Sequence, residues 1–129
     1  MTDRTPGFVI AVVDDDSRIL ESLRDLFESA EHAVVSFDSA TALLASGCLE
    51  RVDCLISDIS MPETDGFELS RLAHARRPGL PIILITGRAE MLNRVSPAGI
   101  GCYRFFRKPF NGEELLATVR EALRASSRG

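Results

Sequence analysis

From Phe8 to Leu123 the chain alternates short, continuous apolar runs with longer stretches whose apolar residues recur every three or four positions. The short runs are Phe8–Val13, Ala33–Phe37, Cys54–Ser57, Ile82–Ile85 and Tyr103–Phe106. They are rich in β-branched and aromatic residues and too short for helices, so they predict strands buried on both faces. The stretches between them predict helices. Ile19, Leu20, Leu23, Leu26, Phe27 and Ala30 mark the first, which Asp16 or Ser17 can cap. Ser39 can cap a second, with Leu43 and Leu44 facing inward and Gly47 ending it. Phe67, Leu69, Leu72 and Ala73 mark a third that stops at Pro78-Gly79. A fourth is expected between Ala89 and Gly101, weakened by Pro97, Gly99 and Gly101. Asn111 with Glu114 three residues on predicts the cap of a last helix, with Leu115, Leu116, Val119, Ala122 and Leu123 on its apolar face.

Strand and helix thus alternate five times, the pattern of an α/β domain with a parallel sheet and right-handed crossovers. With 129 residues the chain has the length of one domain. Residues 1–7 read as a flexible leader, 8–124 as the folded domain, and 125–129 as a tail or the start of a linker. A net charge of −4 makes a nucleic-acid surface an unsuitable role for this domain itself. No apolar run reaches the length of a membrane span, and Met1–Gly7 lacks the plan of a signal peptide. Cys48, Cys54 and Cys102 show no metal or disulfide spacing, so a reducing cytoplasm is expected.

The chemistry gathers at the strand ends. The first strand leads into Asp14 and Asp15, the third into Asp58, the fourth into Thr86 and the fifth into Lys108. Parallel strands share a direction, so all five residues are expected at the C-terminal edge of the sheet, where open α/β sheets bind ligands. Pro62, four residues after Asp58, turns the chain away from the sheet there. Each residue alone has a plainer reading: a helix-capping acid, a strand-end hydroxyl, a solvated lysine. Together they make a pocket. Three carboxylates repel one another unless a cation is present, and hard oxygen ligands without histidine or thiolate suit Mg²⁺. A lysine and a hydroxyl beside such a metal suit a phosphoryl group, and Asp58 can accept that group as an aspartyl phosphate.

Four pieces, in order, resemble the receiver domain of two-component response regulators: Val12-Val13-Asp14-Asp15-Asp16, Ser57-Asp58-Ile59-Ser60-Met61-Pro62 with Asp65-Gly66, Ile85-Thr86-Gly87, and Lys108-Pro109-Phe110. The resemblance covers Phe8 to about Arg124. It implies a flavodoxin-like, doubly wound sheet of five parallel strands in the order 2-1-3-4-5, with helices on both faces. Carried over by position, it makes Asp58 the phosphoacceptor, Asp15 a direct Mg²⁺ ligand and Asp14 the holder of a metal-bound water. The Ser60 backbone carbonyl becomes a further ligand. Thr86 and Lys108 become the partners of the phosphoryl oxygens, and Phe105 matches the aromatic switch position. The Ile-Thr-Gly and Lys-Pro-Phe pieces look most like the FixJ-type branch, whose members often carry a DNA-binding output domain.

The implied role is a phosphorylation-controlled switch rather than an enzyme with a separate substrate, with a sensor histidine kinase as donor. A homodimer through the face of the fourth helix and fifth strand is the implied assembly, although Tyr103, Arg104 and Arg107 make that strand bulkier and more basic than usual. Two alternatives remain. A haloacid-dehalogenase-type phosphohydrolase would use Asp14 as nucleophile, but no acidic pair follows Lys108 on an apolar strand and there is no room for a cap domain. The other is a receiver-like interaction module that works without phosphorylation.

Overall fold

The computed structural model describes residues 7–59, 66–87 and 103–128, with side chains to Ala125. The five expected strands are all present: β1 (Val9–Val13), β2 (Ala33–Phe37), β3 (Cys54–Asp58), β4 (Ile82–Thr86) and β5 (Arg104–Arg107). They form one parallel sheet in the order β2-β1-β3-β4-β5, as the resemblance implies. Among the described residues four helices accompany them: α1 (Ser17–Ser29), α2 (Ala40–Ser46), α3 (Gly66–Arg76) and α4 (Gly112–Arg128). The helix expected between Ala89 and Gly101, and the loop through Ser60, Met61 and Pro62, lie outside the described residues.

Two-residue alternation divides the core into two layers. Ala11, Val13, Leu55, Ile82 and Leu84 point to one face, where Leu43 of α2 and Leu69 and Ala73 of α3 cover them. Ile10, Val12, Ile56, Ile83, Ile85 and Phe106 point to the other, under Leu23 and Phe27 of α1 and Leu115 and Val119 of α4. The middle strands β3 and β4 are buried along their whole length, which is why they read as continuous apolar runs. Each fully buried Leu or Ile contributes about 1.5–3 kcal/mol of transfer free energy.

The helix ends follow local chemistry. Asp16 caps α1, its carboxylate accepting from the Arg18 N–H at 2.9 Å. Ser39 caps α2 by accepting from the Ala42 N–H, and Gly47 ends that helix at φ +77°, a left-handed geometry that costs glycine little. The Asn111 side chain accepts from the Glu114 N–H at 3.0 Å, one half of the expected capping pair. α4 continues to Arg128, into the stretch expected as a tail. β1 and β5 each begin one residue later than their apolar runs, and β5 takes in Arg107. A 3₁₀ turn at Cys48–Glu50 was not expected. The Arg77 guanidinium, at the end of α3, donates to the carbonyls of Leu49 and Val52 and fixes that turn from a distance in sequence. Among the described residues no helix is long and apolar enough to cross a membrane.

Candidate functional site: an acidic pocket at the C-terminal edge of the sheet

The end of β1 delivers Asp14 into the interior. Its N–H donates to the Phe37 carbonyl at 3.2 Å, and only 2% of its surface is exposed. Both carboxylate oxygens are engaged. Oδ1 accepts from the Asp16 N–H at 2.9 Å, and Oδ2 accepts from Lys108 Nζ, also at 2.9 Å. Asp58, the last residue of β3, is 5% exposed, and its Oδ1 lies 3.7 Å from the same ammonium. Asp15 is exposed, yet its carboxylate comes within 4.8 Å of those of Asp14 and Asp58. The helix cap that could have explained these acids is supplied by Asp16 instead. Lys108 is no solvated surface charge either, since its side chain is 21% exposed and paired.

Gly66 fixes the backbone beneath Asp58. A methyl group built on its Cα would lie 2.4 Å from the Asp58 carbonyl oxygen and 2.7 Å from Ile59 Cα. The Gly66 N–H donates to the Ile59 carbonyl at 2.9 Å. From the other side, the buried Ser57 hydroxyl donates to the Asp58 carbonyl at 3.0 Å. Thr86 ends β4 fully buried, and its carbonyl accepts the Lys108 N–H at 2.7 Å. The Lys108–Pro109 peptide bond is cis.

Three carboxylates gather here and one ammonium lies against two of them, so the pocket carries an excess of negative charge. Two unit charges 4.8 Å apart repel by about 3.5 kcal/mol at an effective dielectric constant near 20, and by less where Asp15 meets water. Burial by itself would push the Lys108 ammonium towards deprotonation. The hydrogen bond and charge of Asp14, then the charges of Asp58 and Asp16, outweigh that, so its pKa is raised. Arg18 holds the exposed Asp16 carboxyl below the usual carboxylate range, mainly through their side-chain hydrogen bond. The donors are all hard oxygens, two sit on rigid strand ends, and the exposed one leaves a side open to water. That set fits a hard divalent cation that keeps part of its hydration.

The structure therefore unites Asp14, Asp15, Asp58 and Lys108 and sets Thr86 at the same edge. Ser60 lies outside the described residues. Phe105 stands on the face of β5 that Leu84 and Thr86 occupy on β4, since Leu84 pairs with Phe105 and Thr86 with Arg107. Two contributors escaped the sequence reading. Gly66 stood there only as part of a matching motif, because a close backbone approach leaves no local mark. Ser57 passed for one more strand residue, although a hydroxyl inside an apolar run beside a candidate nucleophile was a usable signal.

The response regulator receiver domain family matches residues 10–120. The chain belongs to that family. The response regulator protein TodT of Pseudomonas putida is 37% identical over 124 residues, which are 96% of this chain and 54% of that protein. The transcriptional regulatory protein FixJ of Bradyrhizobium diazoefficiens is 35% identical over 115 residues, 89% of this chain and 56% of that protein. Among solved structures, a CheY-like response regulator receiver domain protein from Methanospirillum hungatei is 31% identical with a TM-score of 0.86, covering 95% of this chain and 98% of that one. The chain spans about half the length of these two regulators. It is a receiver domain of the two-component type.

Proposed function

We propose that Asp58 is the phosphoacceptor and that Asp14, Asp15, Asp58 and the Ser60 carbonyl hold Mg²⁺. The observation that carries this is the ammonium of Lys108 set between two buried carboxylates, 2.9 Å from Asp14 and 3.7 Å from Asp58. A sensor histidine kinase is the donor. An Asp58 carboxylate oxygen attacks phosphorus, a P–O bond forms and the P–N bond to the donor imidazole breaks, leaving the imidazole to take up a proton. Mg²⁺, when bound, offsets charge on the transferring phosphoryl oxygens. Lys108 and the Thr86 hydroxyl serve the same oxygens as donors. Asp14 is poorly suited to be the nucleophile of a phosphohydrolase, because both its oxygens already accept hydrogen bonds.

The group acted on is the chain's own carboxylate, so the reaction sets a state rather than turning over a product. Thr86 and Phe105, on one face of neighbouring strands, are the elements proposed to read that state. An apolar groove of about 460 Å³ beside Lys108, lined by Ile19, Ser22, Pro109 and Phe110, gives the donor a surface next to the pocket. The receiver unit is residues 8–124, with α4 running on to Arg128, acting in the cytoplasm. Its regulation of transcription, through a DNA-binding output domain, is proposed from the regulators it matches. A homodimer through the β5 side is proposed with it.

The test is incubation with Mg²⁺ and acetyl phosphate, borohydride trapping and mass spectrometry. Label is expected on Asp58 alone and is expected to vanish in Asp58→Asn. Label on Asp14 would favour the phosphohydrolase, and no label at all would favour an interaction module.

A further inference from the structure

Phe67 is the second residue of α3, directly after the glycine packed on the Asp58 carbonyl. Its ring meets Phe105 edge to face, with centroids 6.4 Å apart and planes at 77°. Both rings are half-buried and pack on the core layer that α2 and α3 cover. That is the face on which Leu84 and, two residues along β4, Thr86 lie. Phe105 thus has a neighbour on either side: the β4 residues towards the pocket, and the Phe67 ring from α3. The backbone that carries Phe67 is held to the phosphoacceptor strand by the 2.9 Å hydrogen bond from the Gly66 N–H to the Ile59 carbonyl. An edge-to-face pair of this kind favours one arrangement of the two rings beyond simple burial.

We propose that Phe67 is a positioning residue for the switch: its ring braces Phe105 in the unphosphorylated arrangement and so sets how readily the phosphorylated arrangement forms. The proposal rests on the reading of Asp58 as phosphoacceptor and Phe105 as the moving aromatic. If Phe105 must leave the Phe67 ring edge to switch, the contact favours the resting state. Removing it shifts the population towards the switched state, and a ligand that selects the switched state then binds more tightly. Edge-to-face pairs are worth a factor of about two to ten in such an equilibrium.

The experiment measures the affinity for beryllofluoride with Mg²⁺ in the wild type, Phe67→Leu, Phe67→Tyr and Phe105→Leu, and in the double variant Phe67→Leu/Phe105→Leu. Phe67→Leu is expected to bind about two to ten times more tightly. Phe67→Tyr keeps the ring edge and is expected to match the wild type. In the Phe105→Leu background Phe67→Leu is expected to change nothing. A merely structural role would loosen the pocket and weaken binding, so the direction separates the two. Should Phe67→Leu fail to fold, Phe67→Met supplies an unbranched apolar filler for the same comparison. A ¹⁹F label at position 105 gives a second readout, expected to move towards its beryllofluoride-bound shift in Phe67→Leu without any ligand. Unchanged or weaker binding in a folded Phe67→Leu, or an equal gain in the Phe105→Leu background, overturns the brace. No beryllofluoride binding by the wild type, or undiminished binding by Asp58→Asn, overturns the phosphoacceptor reading beneath it.

Discussion

Substituting one glycine tests whether the strand end that carries Asp58 is held by packing. In Gly66→Ala the new methyl carbon would stand 2.4 Å from the Asp58 carbonyl oxygen, 2.7 Å from Ile59 Cα and 3.0 Å from the Asp58 carbonyl carbon. Ordinary carbon–oxygen contacts lie near 3.3–3.6 Å, so about 1 Å of relief is needed. All three obstructing atoms are backbone, so no rotamer change can provide it. Either the start of α3 lifts off the sheet or the end of β3 shifts. Overpacking of this kind costs about 1–3 kcal/mol. Alanine's better helix propensity returns at most about 1 kcal/mol, and less at the first helical residue. A net loss of about 2 kcal/mol is expected, readable as a fall in urea midpoint and a melting temperature lower by roughly 6–10 °C. The functional loss is expected to be larger. A displacement of about 1 Å at a reacting group can cost about 100-fold in rate, so acetyl phosphate should label Asp58 far more slowly even where the variant is fully folded. Gly79→Ala is the internal control, because a methyl group there meets nothing within 4 Å. It is expected to lie within about 1 kcal/mol of the wild type and to be labelled normally. Equal stability of the two variants, with Asp58 labelled at the wild-type rate in both, would refute the role of Gly66 as the support of the proposed phosphoacceptor.

Lys108→Met leaves Asp14 and Asp58 without their shared ammonium. Metal-free stability is expected to fall by about 2–4 kcal/mol in urea unfolding, while Mg²⁺ is expected to bind more tightly by calorimetry because a competing cation is gone. Stability is also expected to depend on His32. Its Nδ1 accepts the Phe8 N–H at 3.2 Å and its ring touches those of Phe8 and Phe27. Burial first, and then the Arg120 charge, lower its pKa from 6.5, against an opposing pull from Asp53. The unfolded chain therefore takes up a proton first. The contribution of His32 is complete above about pH 6.5 and is lost as the pH falls through that value towards the folded pKa. Urea midpoints between pH 5 and 8 should show this slope in the wild type and a shallower one in His32→Ala.

Much of the fold was legible because burial and local chemistry agree along this chain. Ile82–Ile85 could only be a strand buried on both faces, being too short for a helix and too apolar for an edge. Asp16, Ser39 and Asn111 cap their helices through contacts two or three residues away, which spacing can show. What escaped depends on residues far apart in sequence. The 3₁₀ turn at Cys48–Glu50 is held by Arg77, and Arg77 by itself reads as a surface charge at a helix end. Phe67 and Phe105 were visible only as core and switch residues, because nothing in their spacing brings α3 over β5. The acids and Lys108 were legible through their positions at strand ends, but the engagement of both Asp14 oxygens was not.

The two faces of the sheet divide the labour of the proposed switch. By the alternation that places Val12, Ile56 and Phe106 against α1 and α4, the residues two further on, Asp14, Asp58 and Lys108, emerge on that same side. Leu84 and Phe105 belong to the opposite layer, under α3, and alternation carries Thr86 there too. Chemistry on one side and readout on the other have to meet, and the end of β4 is where they do. Ile85 pairs with Asp58, Thr86 follows it, and the Thr86 carbonyl holds the Lys108 N–H. Substitutions on the α1–α4 side should therefore change the rate of phosphorylation, and those on the α3 side, apart from Gly66 packed against the Asp58 backbone, the equilibrium of the switch. Among the described residues Thr86 stands where the two meet, since in the proposed switch its hydroxyl serves the phosphoryl group and its position bounds the space open to Phe105. A Thr86→Ala variant that altered only one of the two quantities would show that the faces communicate elsewhere.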